Sequence, residues 1–354
     1  MYKFHLVKRE TESWPVRLAV YMLSVVLAFL LVATFLKASG KSPLEVYQQM
    51  LLMSLGTKYA LSETMVKAIP LMLAGLAVSF AFRVKLWNIG AEGQLYMGAL
   101  ASSYVALFWS EGHSACTILP LMLIAAFVFA GLWGLIAGIF KAYWNVNETI
   151  VTLLMNYIAI FGVDYLVYGS WKDPANMGFP LTPRFSEAAT LPTLGATRIH
   201  MGLLIALVIA LLFFLLLRYS RWGYELRVLG DSPAAARYAG IDVRKNILMV
   251  MFISAGVAGI AGMIEVSGIT HRLQTGFSPG YGYTAIIVAW LAHLHPLLII
   301  LVAFLFGALL VGGFGVQSSN IPFSTLLVLQ GAVLFFLLAG EFFTRYRIKR
   351  IKEG

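Results

Sequence analysis

The chain has 354 residues, 60% of them apolar and only 12% charged, with a formal net charge of +10. A soluble protein of this length carries roughly twice as much charge, so the soluble globular class is excluded. The one cysteine, Cys116, excludes an internal disulfide and any cysteine-rich metal site.

Runs of about 20 apolar residues, enough to cross about 30 Å of hydrocarbon, recur along the whole length. Such spans must be helices, because each has to satisfy its own backbone. The pattern predicts ten of them, at 16–36, 65–82, 92–109, 117–140, 148–168, 200–217, 247–265, 281–294, 297–316 and 324–342. The first follows Lys8, Arg9 and Arg17. Its apolar run is too long for a signal-peptide core, so it is expected to stay in the protein. At its far end Gly40-Lys41-Ser42 mimics the end of a phosphate-binding loop, but Phe35 stands where that motif needs glycine.

The connection Arg83–Gln94, RVKLWNIGAEGQ, opens the third span with Asn88 and two glycines. Glu92 falls in the first turn, where the helix dipole favours a carboxylate. Before the fifth span, Asn145 and Glu148 have capping-box spacing, with Asn147 between them. Glu148, Thr152 and Asn156 then recur every four residues and share one helix face. A polar stripe on a membrane helix faces protein or water. Helix–helix hydrogen bonding and a pore lining both fit it.

The longest outer connection, Gly169–His200, holds Pro174, Pro180, Pro183 and Pro192. It is long enough to touch something outside and too short for a domain. No linker or second domain is visible, so 1–354 reads as one transmembrane domain.

The next connection, near 218–246, contains LRVLGDSPAAARYAGIDV from Leu226 to Val243. Ser232 followed by Pro233 has the signature of a helix start. Gly240 ends the helix about two turns later, where a left-handed residue is easiest. A helix this short needs a surface to pack on. It fits both a helix lying on lipid headgroups and a docking helix for a cytoplasmic partner. Ala234, Ala235, Ala236 and Ala239 keep it flat, and Arg237 and the flanking Asp231 carry charge.

Gly256, Gly259 and Gly262 mark a close-packing face on the seventh span. The eighth span is short and begins in GFSPGYG, residues 276–282. Glycine-interrupted spans in both halves hint at inverted repeats around a central path. His293 and His295 precede Pro296 in a tight turn and read as turn polar groups rather than metal ligands.

Ten spans put both ends on one side. Eighteen of the 26 Lys and Arg fall on that side, so the positive-inside rule places both termini and the 218–246 loop in the cytoplasm. The basic residues are spread over loops and form no stripe, which argues against nucleic-acid binding. There is no Walker A motif, H-E-x-x-H or G-x-S-x-G elbow, so enzyme chemistry and a cofactor are not expected. Charged residues within spans are few and sit mostly at span ends, as do Glu92, Lys141, Glu148 and Glu265. An ion-coupled carrier is expected to keep several deeper. The energy source is therefore expected on another subunit.

WNIGAEGQLYMGA, NETIVTLLMNYIA, LGDSPAAARYAGID and GYGYTAI, in this order within ten spans, resemble the permease subunits of bacterial ABC importers. The branch is the one serving ribose, nucleosides and related compounds. NIGAEGQ and NETI resemble its nucleoside-type group. The resemblance implies an all-helical inverted-repeat fold, a pore between two permeases, two cytoplasmic ATPases and an extracytoplasmic binding lipoprotein. It implies that Asp231–Asp242, with Ser232, Pro233, Ala235, Arg237, Ala239 and Gly240, is the coupling helix. By similarity to the wider vitamin-B12-importer fold, Asn88, Glu92, Asn145, Asn147 and Glu148 fall where cytoplasmic gates are placed. Thr152 and Asn156 are pathway candidates on the polar stripe alone. A stand-alone secondary carrier is the alternative, and it would have no use for a docking helix. A receptor or structural membrane protein would transport nothing.

Overall fold

A computed structural model describes residues 2–8, 14–176, 178–319 and 321–352. Met1, Arg9 and Gly354, which enter the charge argument, lie outside them. Each of the ten predicted spans is a helix. They are α1 (Trp14–Ala38), α3 (Lys58–Phe82), α4 (Ala91–Phe108), α5 (Ala115–Trp144), α6 (Glu148–Tyr168), α7 (Gly202–Tyr219), α10 (Val243–Glu265), α11 (Tyr281–Leu291), α12 (Pro296–Gly315) and α13 (Ser324–Arg345). Three further helices lie between them: α2 (Pro43–Leu55), α8 (Arg221–Asp231) and α9 (Pro233–Tyr238). Seven of the ten are long and apolar enough to cross a bilayer alone. The other three are α11, α13 and α4. The first two have shorter apolar stretches, and α4 carries more small and polar residues.

The helices form two compact units, residues 57–308 and residues 1–56 with 309–354. In the second of these, α1 packs along α13. Ser24 Oγ donates to the Phe336 carbonyl at 2.9 Å, and a Cβ at Gly340 would meet Val20. Residues 2–8 and 346–352 continue the chain as an antiparallel two-stranded ribbon, Tyr2 opposite Lys352 and Lys8 opposite Tyr346. The pairing sets residues 2–8 beside residues 346–352. The sequence showed neither the ribbon nor α2. Tyr47 of α2 donates to the Phe29 carbonyl, and Lys41 Nζ to that of Ser319.

In the larger unit α3 and α10 form the centre, largely buried, and α4, α5 and α10 pack pairwise against one another. Small residues permit this. A Cβ at Gly98 would lie 2.2 Å from the Gly259 carbonyl oxygen, and one at Gly259 2.4 Å from Ala130 Cβ. At Gly262 it would lie 1.9 Å from the Leu95 carbonyl oxygen. The glycine face expected on the seventh span is thus where α10 meets α4 and α5. Gly262→Ala is expected to lower stability by about 1–3 kcal/mol, since backbone gives way less readily than side chains. Thermal unfolding of the detergent-purified protein reads this, and an unchanged midpoint would refute the packing role.

The outer helices invert the pattern of a soluble protein. On α6, Ile150, Leu154, Ile158, Phe161 and Tyr165 are exposed, and Thr152, Asn156, Ala159 and Val163 are buried. Lipid is the solvent such a surface requires.

Hydrogen bonds sort the connections into two sets. Lys85 Nζ donates to the Asp231 carbonyl, and Arg83 donates to that of Leu294. Lys141 and Asn145 border the same recess as Arg237 and Gly240. These connections share one side, the side assigned to the cytoplasm by charge. On the other side Ser186 meets Ser110, and Arg198 pairs with Glu63 at 2.8 Å. The outer connection 169–201 is strapped to the end of α10. Leu191 N–H donates to Ser267, Phe185 N–H to His271 and Thr182 N–H to Leu273. Residues Val266–Thr270 prolong α10 as a π-helical turn. Burial holds the His271 imidazole below its usual pKa, with Arg184 and Arg198 acting the same way against the Ser267 carbonyl bond.

Candidate functional site: the inner connections and two opposed half-helices

After Phe82 the chain turns at Lys85, in the left-handed region at φ 58°, and re-enters the bundle before α4 starts. Asn88 is fully buried. Its Nδ2 donates to Gln94 Oε1 and Ser254 Oγ, both at 3.0 Å, and Ser254 Oγ donates to the Ala77 carbonyl. Ala77 precedes the end of α3 by five residues, about 7.5 Å at helical rise. The start of α4 therefore lies inside the helix bundle rather than at its inner rim. Helix α11 has 11 residues, about 16 Å, half the hydrocarbon thickness. It runs towards the Arg83 side, so its N-terminus also starts deep.

The two N-termini meet. Glu92 Oε2 accepts from Gly282 N–H at 2.6 Å. A Cβ at Gly282 would lie 2.2 Å from the Glu92 nitrogen, so only glycine fits. Ser278 Oγ accepts from the N–H groups of Gly280 and Tyr281 and caps α11. Glu92 sits in the first turn of α4 and at the start of α11 at once. Each helix N-terminus carries about +0.5 of a charge, so the pair matches one carboxylate. Glu92 is 2% exposed. Asn88 and Glu92 are thus buried within the bundle, because the connection is re-entrant.

The polar stripe of α6 faces this connection. Asn156 Oδ1 accepts from Gly93 N–H at 2.8 Å, and its Nδ2 donates to the Ile89 carbonyl at 2.9 Å. Thr152 bonds the Glu148 carbonyl of its own helix and lies against Gly90. Glu148 Oε1 accepts from Trp87 N–H at 3.2 Å, and Oε2 pairs with Lys141 Nζ at 3.0 Å. Of the two roles open for the stripe, these bonds supply the packing role. A path along Thr152 and Asn156 requires this clamp to open.

The capping-box expectation is corrected. Asn145 is the left-handed residue that ends α5, at φ 51°. Asn147 caps α6 by accepting from Thr149 N–H at 3.0 Å. Two residues after a left-handed stop, Asn147 is the one adjacent to the new helix, and Glu148 is engaged by Lys141.

Helix α9 forms where Ser232-Pro233 and Gly240 place it. Ser232 Oγ accepts from Ala235 N–H at 3.2 Å. Gly240 has φ +75°, and Ile241 N–H returns to the Ala236 carbonyl. Ala236 packs inward; Ala234, Ala235, Arg237 and Ala239 are exposed. Tyr238 is 98% exposed. The preceding α8 buries Leu226 and Leu229 and sets Gly230 against the Arg83 carbonyl. The base of α9 is thereby tied to the re-entrant connection.

Sequence reasoning passed over two features. Tyr238 was hidden in an alanine-rich segment. Lys67 lies within a predicted span and pairs with Glu265 at 3.2 Å, with its ammonium 5.9 Å from the Tyr281 ring centre. A lysine inside an apolar run is itself a signal that a carboxylate is near.

A family model described as branched-chain amino acid transport system / permease component matches residues 60–338. The chain belongs to this permease family. The permease is 34% identical over 344 residues to the guanosine ABC transporter permease protein NupP of Bacillus subtilis, covering 95% of this chain and 97% of that one. It is 35% identical to a glucose ABC transporter permease protein of Haloferax volcanii, covering 92% and 88%. It is 27% identical to the nucleoside ABC transporter permease protein NupB of Lactococcus lactis, covering 91% and 90%. The permease is a multi-pass subunit of the cytoplasmic membrane that makes and breaks no covalent bond. ATP hydrolysis belongs to a partner ATPase, and substrate capture to a binding partner.

Proposed function

We propose that this permease imports a nucleoside or a related ribosyl or sugar compound by alternating access, all 354 residues acting as one transmembrane domain. It pairs with a second permease, identical or related, and its substrate is delivered by an extracytoplasmic lipoprotein. Two relatives named for guanosine and for nucleosides support the nucleoside reading, and the relative named for glucose keeps sugars within the class. The observation that carries the reading is α9. It is capped at both ends, bare on its outer face, topped by Tyr238, and tied through α8 and Lys85 to the connection that enters the bundle. Asp231, Ser232, Pro233, Ala235, Arg237, Ala239 and Gly240 form or flank the surface that meets the ATPase. The gate is the 87–93 connection and its α6 clamp: Asn88 and Glu92 inside, Asn145, Asn147 and Glu148 at the mouth, Thr152 and Asn156 along the clamp. A lone carrier has no use for α9.

The test is reconstitution with the cognate ATPases and binding lipoprotein. Uptake of labelled guanosine or glucose is expected only with ATP and the ATPases present. Uptake by the permease alone would establish the carrier instead.

Topology has its own test. Cysteines replacing Arg237 and Ala175, in a background where Cys116 is replaced, are expected to react from opposite faces of the membrane. Labelling of both from outside intact cells would refute the assignment of both termini and the 218–246 loop to the cytoplasm.

A further inference from the structure

Two recesses adjoin on the inner side and share Lys141 and Asn145. One, of about 610 Å³, is bordered by Trp87, Asn147 and Glu148. The other, of about 690 Å³, is bordered by Arg237, Asp242 and Arg244 beside α9. The second is cationic. Asp242 is its acid, and that side chain caps α10 by accepting from Lys245 N–H. Arg244 lies over the Tyr143 ring at 5.4 Å, and Arg237 is exposed. Lys141, its side chain 26% exposed, pairs with Glu148, 7% exposed, at 3.0 Å. The other oxygen of Glu148 holds Trp87 N–H, the first residue of the segment that α6 clamps.

We propose that Lys141 transmits ATPase docking to the gate. This rests on the reading of α9 as the ATPase-docking helix. An acidic side chain of the ATPase enters the cationic recess and competes with Glu148 for Lys141. Glu148, left with one partner at a buried site, loses the charge balance that fixes it. Its hold on Trp87 then weakens, and the 87–93 connection is freed to move. The partner's chemistry follows from the recess: an Asp or Glu beside an apolar groove that takes the alanine face and Tyr238. The bistable element is the choice of Lys141 between two carboxylates, which is the differential contact that coupling needs.

The experiment uses the complete complex in lipid nanodiscs. Lys141→Gln is expected to retain the ATPase subunits at wild-type stoichiometry and to lower substrate-stimulated ATP hydrolysis on the order of tenfold, within the usual range of coupling between sites. Lys141→Arg is expected to restore it. The decisive variant is the exchange Lys141→Glu with Glu148→Lys. It keeps the ion pair but presents a carboxylate to the recess and leaves Trp87 N–H without its acceptor, so thermal stability is expected to recover in part while stimulation does not. Recovery of stimulation would show a merely structural pair and overturn the proposal. So would unchanged coupling in Lys141→Gln. Loss of the ATPase subunits in that variant would make Lys141 a docking anchor, which also overturns it. Coupling that requires anionic lipid in the nanodisc would assign the recess to a phosphate headgroup and overturn the ATPase carboxylate. Failure of the docking reading itself looks different: the wild-type chain would then retain no ATPase at all.

Discussion

Ala235→Glu is expected to leave the permease folded and inserted yet to abolish substrate-stimulated ATP hydrolysis by the assembled complex, and Ala239→Glu to do the same. Both alanines are exposed, and a solvent-facing substitution of this kind costs the free subunit little. In a closed interface the same carboxylate is desolvated without a partner. That costs about 3–5 kcal/mol, more than two orders of magnitude in association. The cost is not relieved by moving the helix, because Ser232 and Gly240 fix both ends and Ala236 is packed beneath. Tyr238→Ala is expected to weaken retention of the ATPase as well, since exposed aromatics become anchors once an interface covers them. The measurements are co-purification of the ATPase and the ratio of stimulated to basal hydrolysis. Full coupling with glutamate at both alanine positions would remove the case for α9 as the docking helix.

Gly282→Ala is expected to be among the most damaging additions of a single methyl group within the bundle. The new carbon would lie 2.2 Å from Glu92 N and 2.5 Å from Glu92 Cα. Both are backbone atoms at the start of a helix, so no rotamer change makes room. Helices α4 and α11 must separate, and the bond between Gly282 N–H and Glu92 at 2.6 Å goes with them. We expect transport to be lost and the unfolding midpoint to fall, with a cost at or above the upper end of about 1–3 kcal/mol for an overpacked site. Glu92→Gln separates sterics from charge. The amide oxygen still accepts from Gly282, but the two helix dipoles then face each other without a carboxylate between them. A loss of roughly 1–2 kcal/mol is expected, as for a partly buried charge at a helix end. Wild-type uptake and stability in Gly282→Ala would mean that the two helix starts are not in contact in the working protein.

The positions of ten membrane helices, the side shared by the inner connections, and the short helix between Ser232 and Gly240 were all legible in the amino-acid order. The physical reason is locality. An apolar run of sufficient length has one stable state in a bilayer. A Ser-Pro start and a left-handed glycine stop act within one turn of the helix they bound. The glycine face of α10 was legible for the same reason, because close approach of helices requires small residues at regular spacing.

Which side chains act together was decided by tertiary structure. The periodicity of Glu148, Thr152 and Asn156 put them on one face, but only the return of residues 87–93 into the bundle showed what that face holds. Glu92 looked like an ordinary first-turn acid, because Gly282 lies 190 residues away and nothing local announces that two helices start tip to tip. Capping-box spacing pointed to Asn145, and only the left-handed end of α5 showed that Asn147 is the cap. Lys67 and Glu265, far apart in the chain, meet because α3 and α10 cross at the centre of the unit. Propensity and hydropathy act over a few residues and place each helix. A carboxylate between two helix tips, or a lysine shared by two recesses, depends on pairings made across the whole chain.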